Sequence, residues 1–325
     1  MRNLIALIVF IMLQIIFIPL AIFGGILVAY KQLAVSKKLG VSQTAIEIIN
    51  GRWTMHVFGL REDHTTAKLT PKLPNTSTFG LWLTLFPIYV HSRIRGQNKW
   101  YPVIAEEGEE GVGNLITNRT GYFDTIIDNA KDQAKQFVIL GAGLDTRAYN
   151  NLKESGMKIF ELDQVADQQH KRTYLQKAEI DASHVQFIEV DFSQDDWFAS
   201  LKSTGYDPNK PTIFLWEGVT LYLGEESVRN TLRKIKANTT EGSTIVADMY
   251  SRSFVNGDYV PGMKATLPLL DLTGEQLSFA IEMADDYQGA LGSFAASEEL
   301  TLGDTYFMGH KTEKGPWMVV AELKV

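Results

Sequence analysis

QFVILGAGLDTR, Gln136–Arg147, is the stretch on which the fold turns. Five β-prone residues run without a break into two glycines, and polar residues follow that suit the start of a helix. The same alternation recurs downstream. Short apolar runs lie at Lys158–Leu162, Val185–Val190, Thr212–Trp216 and Ser243–Ala247. Helix-like segments separate them near Thr146–Ser155, Val165–Ala178, Asp195–Ser203 and Glu225–Asn238. Strand–helix alternation of this kind predicts right-handed crossovers and a parallel sheet covered on both faces, an α/β doubly wound fold. The chain closes differently. Thr305–Gly309 and Trp317–Leu323 flank a turn containing Lys314-Gly315, which predicts a hairpin and one antiparallel strand in a seven-stranded, mostly parallel sheet.

Composition narrows the function classes. With 325 residues, 45% hydrophobic and 21% charged, the chain has enough apolar sequence for a large core, which excludes a disordered protein. A net charge of −7 argues against a nucleic-acid partner, whose phosphates need cations. There is no cysteine, so disulfides, thiolate nucleophiles and cysteine zinc sites are impossible. The six histidines show no zinc-helix spacing, and Gly-x-Ser-x-Gly is absent; no metal is expected, and no catalytic residue stands out.

The first 30 residues are unlike the rest. Leu4 to Tyr30 carries no charge, which is longer than the ~20 residues a helix needs to cross hydrocarbon and longer than a signal-peptide core. The expectation is a single-pass anchor over 1–30, in contact with the lipid bilayer through residues 4–30. Lys31, Lys37, Lys38 and Arg52 follow it with no acid before Glu47, so the positive-inside rule places the large part in the cytoplasm. Residues 31–130 read as a helical cap and substrate region. Within it, Val41–Arg52 opens a helix, His56–Ser77 reads as an irregular loop or lid, and Phe79–Val90 as a short apolar core helix. Glu106–Gly113 reads as a solvated acidic turn.

Ligands of open α/β sheets bind at the carboxyl ends of the strands. Those ends carry Gly141 and Gly143, then Glu161 and Asp163, then Asp191-Phe192, then Glu217-Gly218. Asp163 follows the glycines by about 20 residues, the spacing of a ribose-binding carboxylate. A dinucleotide fingerprint would have a third glycine where Thr146 stands, and Asp145 puts an acid where a pyrophosphate would sit. S-adenosylmethionine has no phosphate and carries two cationic groups, so this turn favours it over NAD.

FVILGAGLDTRAY, FELD, VDF and WEGVTLYL together resemble the leucine carboxyl methyltransferase-like family of class I S-adenosylmethionine-dependent methyltransferases. The resemblance takes in Ser42–Ala45, the apolar Leu85–Val90 before Arg93, and Arg119–Asp124. It implies a class I methyltransferase sheet over residues 131–325 and S-adenosyl-L-methionine as cofactor. It further implies that Arg119 pairs with the cofactor's carboxylate and that Gly141 and Gly143 form the turn beneath it. Asp163 would hold the ribose, with Glu161 in reserve; Asp191 and Phe192 would flank the adenine, and Glu217 would sit beside the amino group. Arg147 would support the turn. Tyr222, Arg252 and Arg52 are candidates on the acceptor side. With no evident general base, a carboxylate or acidic hydroxyl is the expected acceptor, small or membrane-associated. The competing readings are an NAD(P)-dependent oxidoreductase and a membrane-tethered module that binds the cofactor without catalysis.

Overall fold

The computed structural model describes residues 1–192, 196–259, 277–311 and 315–325. The chain forms two compact units that interleave in sequence. One comprises Met1–Ile104, Gly143–Asn150 and Gln169–Ala182; the other comprises Ala105–Ala142, Asn151–Gln168 and Ser183–Val325.

The second unit holds the sheet. Its strands are β1 (Gln136–Leu140), β2 (Lys158–Asp163), β3 (Val185–Glu189), β4 (Thr212–Trp216), β5 (Thr244–Tyr250), β6 (Thr301–Met308) and β7 (Met318–Lys324). Their order is β3-β2-β1-β4-β5-β7-β6. The first five pair in parallel, and β7 runs antiparallel to both β5 and β6. The predicted mostly parallel seven-stranded sheet and its closing hairpin are therefore present, although Asp195 and Lys314 lie outside the described residues. All of β1, β4 and β5 is buried, as a sheet covered on both faces requires. Val138 and Leu140 point into a core shared with Val228, Leu232, Leu291 and Phe294, while helix Leu115–Ala130 buries Phe123, Ile126 and Ile127.

Two expectations over residues 106–155 fail. Thr146–Ser155 is not an α-helix but two 3-10 turns, Arg147–Tyr149 and Asn151–Glu154. The acidic turn is not fully solvated either. Glu110 is buried and accepts hydrogen bonds from the Gly108 and Gly309 amides, Asn118 and Tyr122, and Glu107 accepts from the Phe307 amide. Backbone donors that lack a strand partner take these carboxylates as acceptors, which charge counting along the chain does not reveal.

The first unit is helical. Its elements are α1 (Arg2–Tyr30), continued by a π-helical stretch into α2 (Ser36–Leu39), then α3 (Gln43–Val57), α4 (His64–Leu69) and α5 (Thr78–Arg95). Ser42, Asp63 and Ser77 cap α3, α4 and α5 through their side chains. The segment expected to be an irregular lid is thus largely ordered. Asp63 explains why: it is fully buried and accepts from Arg61, the Thr66 amide, Thr146 Oγ1 and Asn150 Nδ2. Burial alone would raise its pKa, but Arg61 and these donors hold the carboxyl below its ordinary value.

Among the described residues, the helix running from Arg2 to Leu39 is the one long and apolar enough to cross a membrane, with a mean hydropathy of 3.0 in its most apolar window. Phe79–Val90 forms most of α5, a helix as expected.

In the sheet unit, helix Glu225–Ala237 is held by Val228, Leu232 and Ile235, each fully buried. Leu232→Ala should lower the unfolding free energy by about 2–5 kcal/mol through lost transfer energy and a cavity. Urea denaturation should show a lower midpoint at unchanged slope; an unmoved midpoint would contradict the packing described.

Candidate functional site

The carboxyl edge of the parallel strands presents, in spatial order, Asp191, Asp163, Gly141 and Glu217, because β3, β2, β1 and β4 are consecutive neighbours. At the end of β1, Gly141 takes φ +71, and a Cβ there would lie 2.6 Å from Val219 Cγ2. Both the backbone conformation and the space demand glycine. The Gly141 and Ala142 amides donate to Leu162 O at 2.9 and 3.0 Å, which fixes the turn against β2. Gly143 falls in the helical unit, where its missing Cβ faces Ala45.

Asp163 ends β2, partly exposed, and accepts from the Gln164 amide at 2.7 Å. Glu161 shares its face by strand alternation but is completely buried. Of the two, Asp163 is the carboxylate that a ligand can reach. Asp191 and Phe192 follow β3 and are also partly exposed, with Phe192 leaning on Trp197 at a ring distance of 6.0 Å.

Glu217 lies in a buried charged cluster. Arg119, from helix Leu115–Ala130, is 4% exposed. Its guanidinium stands 3.5 Å from Glu217 Oε1 and 3.4 Å from Asp248 Oδ2, and donates to Tyr250 Oη at 3.1 Å. Tyr250 Oη in turn donates to Asp248 Oδ2 at 3.0 Å, and the Gly218 amide donates to Asp248 at 2.9 Å. Burial opposes charge on Arg119, yet Tyr250, Glu217 and Asp248 hold its pKa above the ordinary value. For Asp248 burial prevails over Arg119, and the carboxyl is pushed up to about 6. Arg119 Nε remains buried without a hydrogen-bond partner.

Sequence reading missed Asp248 and Tyr250. The signal was present: in TIVADMY an acid interrupts an otherwise apolar strand, and Tyr250 is two residues on, hence on the same face. An acid in a fully buried strand needs a cation, and Arg119 supplies it from 129 residues away.

Three other sequence candidates, Arg52, Arg147 and Arg252, make contacts within the protein. In the helical unit, Asp145 is 8% exposed and ion-paired to Arg52 at 2.9 Å and to Arg147 at 2.5 Å. Burial would raise its pKa, but Arg147 and Arg52 hold it far below the usual carboxylate range. Two guanidiniums neutralise this acid, so it does not repel a pyrophosphate as the sequence suggested. Thr146 keeps its weight, being fully buried and bonded to Asp63 and Thr66 where a third glycine would stand. Arg147 supports the turn, as expected, and Arg52 shares that role. Arg252 is bound to the Ala280 carbonyl at 2.7 Å. Among the described residues no group of three or more metal-ligating side chains occurs.

A sequence model of the leucine carboxyl methyltransferase family matches residues 89–236. A Streptomyces avermitilis protein provisionally named an S-adenosyl-L-methionine-dependent methyltransferase is 31% identical over 156 residues, 47% of this chain and 55% of that protein. A Mycobacteroides abscessus protein of the same provisional name is 31% identical over 200 residues, 58% of this chain and 64% of its own length. The chain thus spans about half the length of the curated relatives it matches. Among solved structures, an O-methyltransferase family protein from Burkholderia thailandensis aligns with TM-score 0.46 at 10% identity, covering 65% of this chain and 57% of that one. The resemblance read from LGAGLDTR, FELD and WEGVTLYL is borne out by the family match and these relatives.

The raised Asp248 pKa has a consequence for stability. Between the unfolded value of 3.8 and the folded value of about 6, the folded state keeps a proton that the unfolded chain releases. The Asp248 contribution is therefore most favourable below that window and is lost as pH rises through it. Compared with Asp248→Asn, the parent should lose stability from about pH 4 to about pH 6, read as the difference in thermal midpoint. Parallel pH profiles would refute the assignment.

Proposed function

We propose that this chain is an S-adenosylmethionine-dependent methyltransferase whose cofactor lies along the carboxyl edge of β3, β2, β1 and β4. The observation that carries the reading is the buried Arg119–Glu217–Asp248 cluster beside the obligatory glycine of the β1 turn. With both acids ionised, one guanidinium and two carboxylates leave the cluster one charge negative. That balance suits the amino-acid end of the cofactor: Arg119 takes its carboxylate in a charge-assisted bond, and Glu217 takes its ammonium. The unbonded Arg119 Nε is a spare donor for this purpose.

Asp163 holds the ribose hydroxyls and Asp191 the adenine amine, with Phe192 against the ring. Gly141 lets the backbone approach the ligand. Residues 31–130 serve as the cap and substrate region, and 131–325 as the cofactor domain. Bound S-adenosylmethionine supplies a methyl group already activated on a sulfonium. What remains for the chain is to align the acceptor and exclude water, which accounts for a site built of binding groups without a nucleophile. A carboxylate or acidic hydroxyl acceptor fits, since it needs no base to become nucleophilic. The large part of the chain is cytoplasmic in this reading, where the cofactor is made, and α1 brings it to a membrane and to an amphipathic or membrane-associated acceptor.

Isothermal calorimetry tests the cofactor. The chain should bind S-adenosylhomocysteine and not NAD; NAD binding without a response to S-adenosylhomocysteine would establish the oxidoreductase instead. Asp163→Ala should weaken S-adenosylhomocysteine roughly ten- to a hundredfold, the worth of hydrogen bonds to a charged acceptor, while Glu161→Asp leaves Asp163 and its contacts in place. Unchanged affinity in a folded Asp163→Ala protein would show that the ribose carboxylate is another residue. Cofactor binding without methyl transfer to any component of a membrane extract, followed with a labelled methyl group, would favour the non-catalytic module.

A further inference from the structure

α1 does not stand alone. It runs antiparallel to α5 along most of its length, with Phe17 stacked on Phe86 at 5.1 Å and Phe10 edge-on to His91 at 5.7 Å. At the crossing, a Cβ on Gly24 would lie 2.6 Å from Gly80 O, and one on Gly80 would lie 2.8 Å from Gly24 O. Two glycines let the backbones touch, the packing that small residues provide between apolar helices. Each end is also tied: Lys31 Nζ donates to Pro74 O at 2.7 Å, and Arg2 donates to Ile94 O.

α5 in turn belongs to the polar body of its unit. Trp82 and Tyr89 pack edge-on to Trp53 and Phe58, and α3, which carries Trp53, also carries the buried Arg52. If α1 crossed a bilayer while paired to α5, α5 would cross too. Residues before α5 and residues after it would then be separated by hydrocarbon. Yet Arg52 and Asp145 pair at 2.9 Å within this unit, and Thr146 Oγ1 donates to Asp63 at 2.9 Å. α5 therefore stays on one side of the membrane, and α1 stays with it.

The outward side of α1 is apolar from end to end. Ile5, Ile8, Met12, Ile15, Ile22 and Ile26 form one stripe at helical spacing, each 49–68% exposed. A patch of this size on a protein surface marks a contact with lipid or protein. Charge selects lipid. The Arg2 end is joined by Arg93 and Arg95 of α5 and by Lys99, next to Trp100, which packs on Phe10 at 4.8 Å. The other end carries Lys31, Lys37 and Lys38, and no acid precedes Glu47. Cations at both margins of an apolar ridge, with an aromatic ring at one of them, match a layer of anionic headgroups over acyl chains; a second copy would set these cations against their own like.

We propose that α1 lies along the bilayer plane, its inner side held by α5 and its outer side sunk into a single leaflet, so that the protein is monotopic rather than single-pass. This explains why α1 lacks the polar face of ordinary interfacial helices: its inner side meets an apolar helix instead of water. The proposal rests on α1 meeting lipid, as in the functional reading, but not on the chemistry of the site.

The absence of native cysteine makes the test direct. Asn3→Cys and Lys37→Cys place single thiols at the two exposed ends of the helix formed by α1 and α2, in the whole chain. In spheroplasts of an expression host, a membrane-impermeant maleimide should label neither variant, and after permeabilisation it should label both. Labelling of Asn3→Cys from outside, with Lys37→Cys protected, would establish a spanning helix and overturn the proposal. The purified chain should also float with vesicles containing anionic phosphatidylglycerol and bind vesicles of neutral phosphatidylcholine about tenfold or more weakly. Failure to float, as a monomer or as a dimer covering the ridge, would overturn it too. Normal S-adenosylhomocysteine binding in either failure would leave the methyltransferase reading intact.

Discussion

The sheet unit depends on one buried ion cluster. Arg119 comes from a helix that precedes the sheet, and its guanidinium meets Glu217 at the end of β4 and Asp248 within β5. Buried carboxylates are tolerated only when paired, and removing one partner of such a set typically costs about 3–5 kcal/mol. The cluster therefore fixes helix Leu115–Ala130 against two adjacent strands and fixes the charge of the strand ends beside the Gly141 turn. Under the proposed function, stability and ligand recognition draw on the same three side chains. Burial pushes the Asp248 carboxyl up to about 6, so near neutral pH it is ionised and shares Arg119 with Glu217.

The helical unit solves the same problem twice. Asp63 gathers Arg61, Thr66, Thr146 and Asn150, and Asp145 gathers Arg52 and Arg147. Both acids sit where helices and turns leave unpaired donors, and each joins segments far apart in sequence. These networks order the stretch between α3 and α5, which composition alone marks as a loop. α5 packs on this ordered part through Trp82 and Tyr89, and under the monotopic proposal that packing keeps α1 on one side of a membrane.

The architecture was legible because it rests on local pattern. β1 and β4 lie where Gln136–Leu140 and Thr212–Trp216 read as strands, since continuous apolar runs bounded by turns have few other uses. The glycine turn and the acids at strand ends were legible for the same reason: β-strand alternation and length fix where a side chain emerges. Asp248 and Tyr250 were not, because their significance lies in a guanidinium more than a hundred residues away. Asp145 was misread for a related reason, its two arginine partners being invisible until the chain folds.

The sequence by itself determined a doubly wound sheet with a closing hairpin, the carboxyl-edge residues from Gly141 to Glu217, and an apolar segment long enough for a membrane. Periodicity, glycine placement and uncharged length are properties of contiguous residues, so they survive without coordinates. Tertiary structure alone decided which carboxylates remain available. It buried Glu161, left Asp163 partly exposed, neutralised Asp145 and drew Asp248 into the Arg119 cluster. It also decided that α1 is paired, through the mutual approach of Gly24 and Gly80. Burial and charge pairing depend on contacts between distant segments, and only the folded chain brings those segments together.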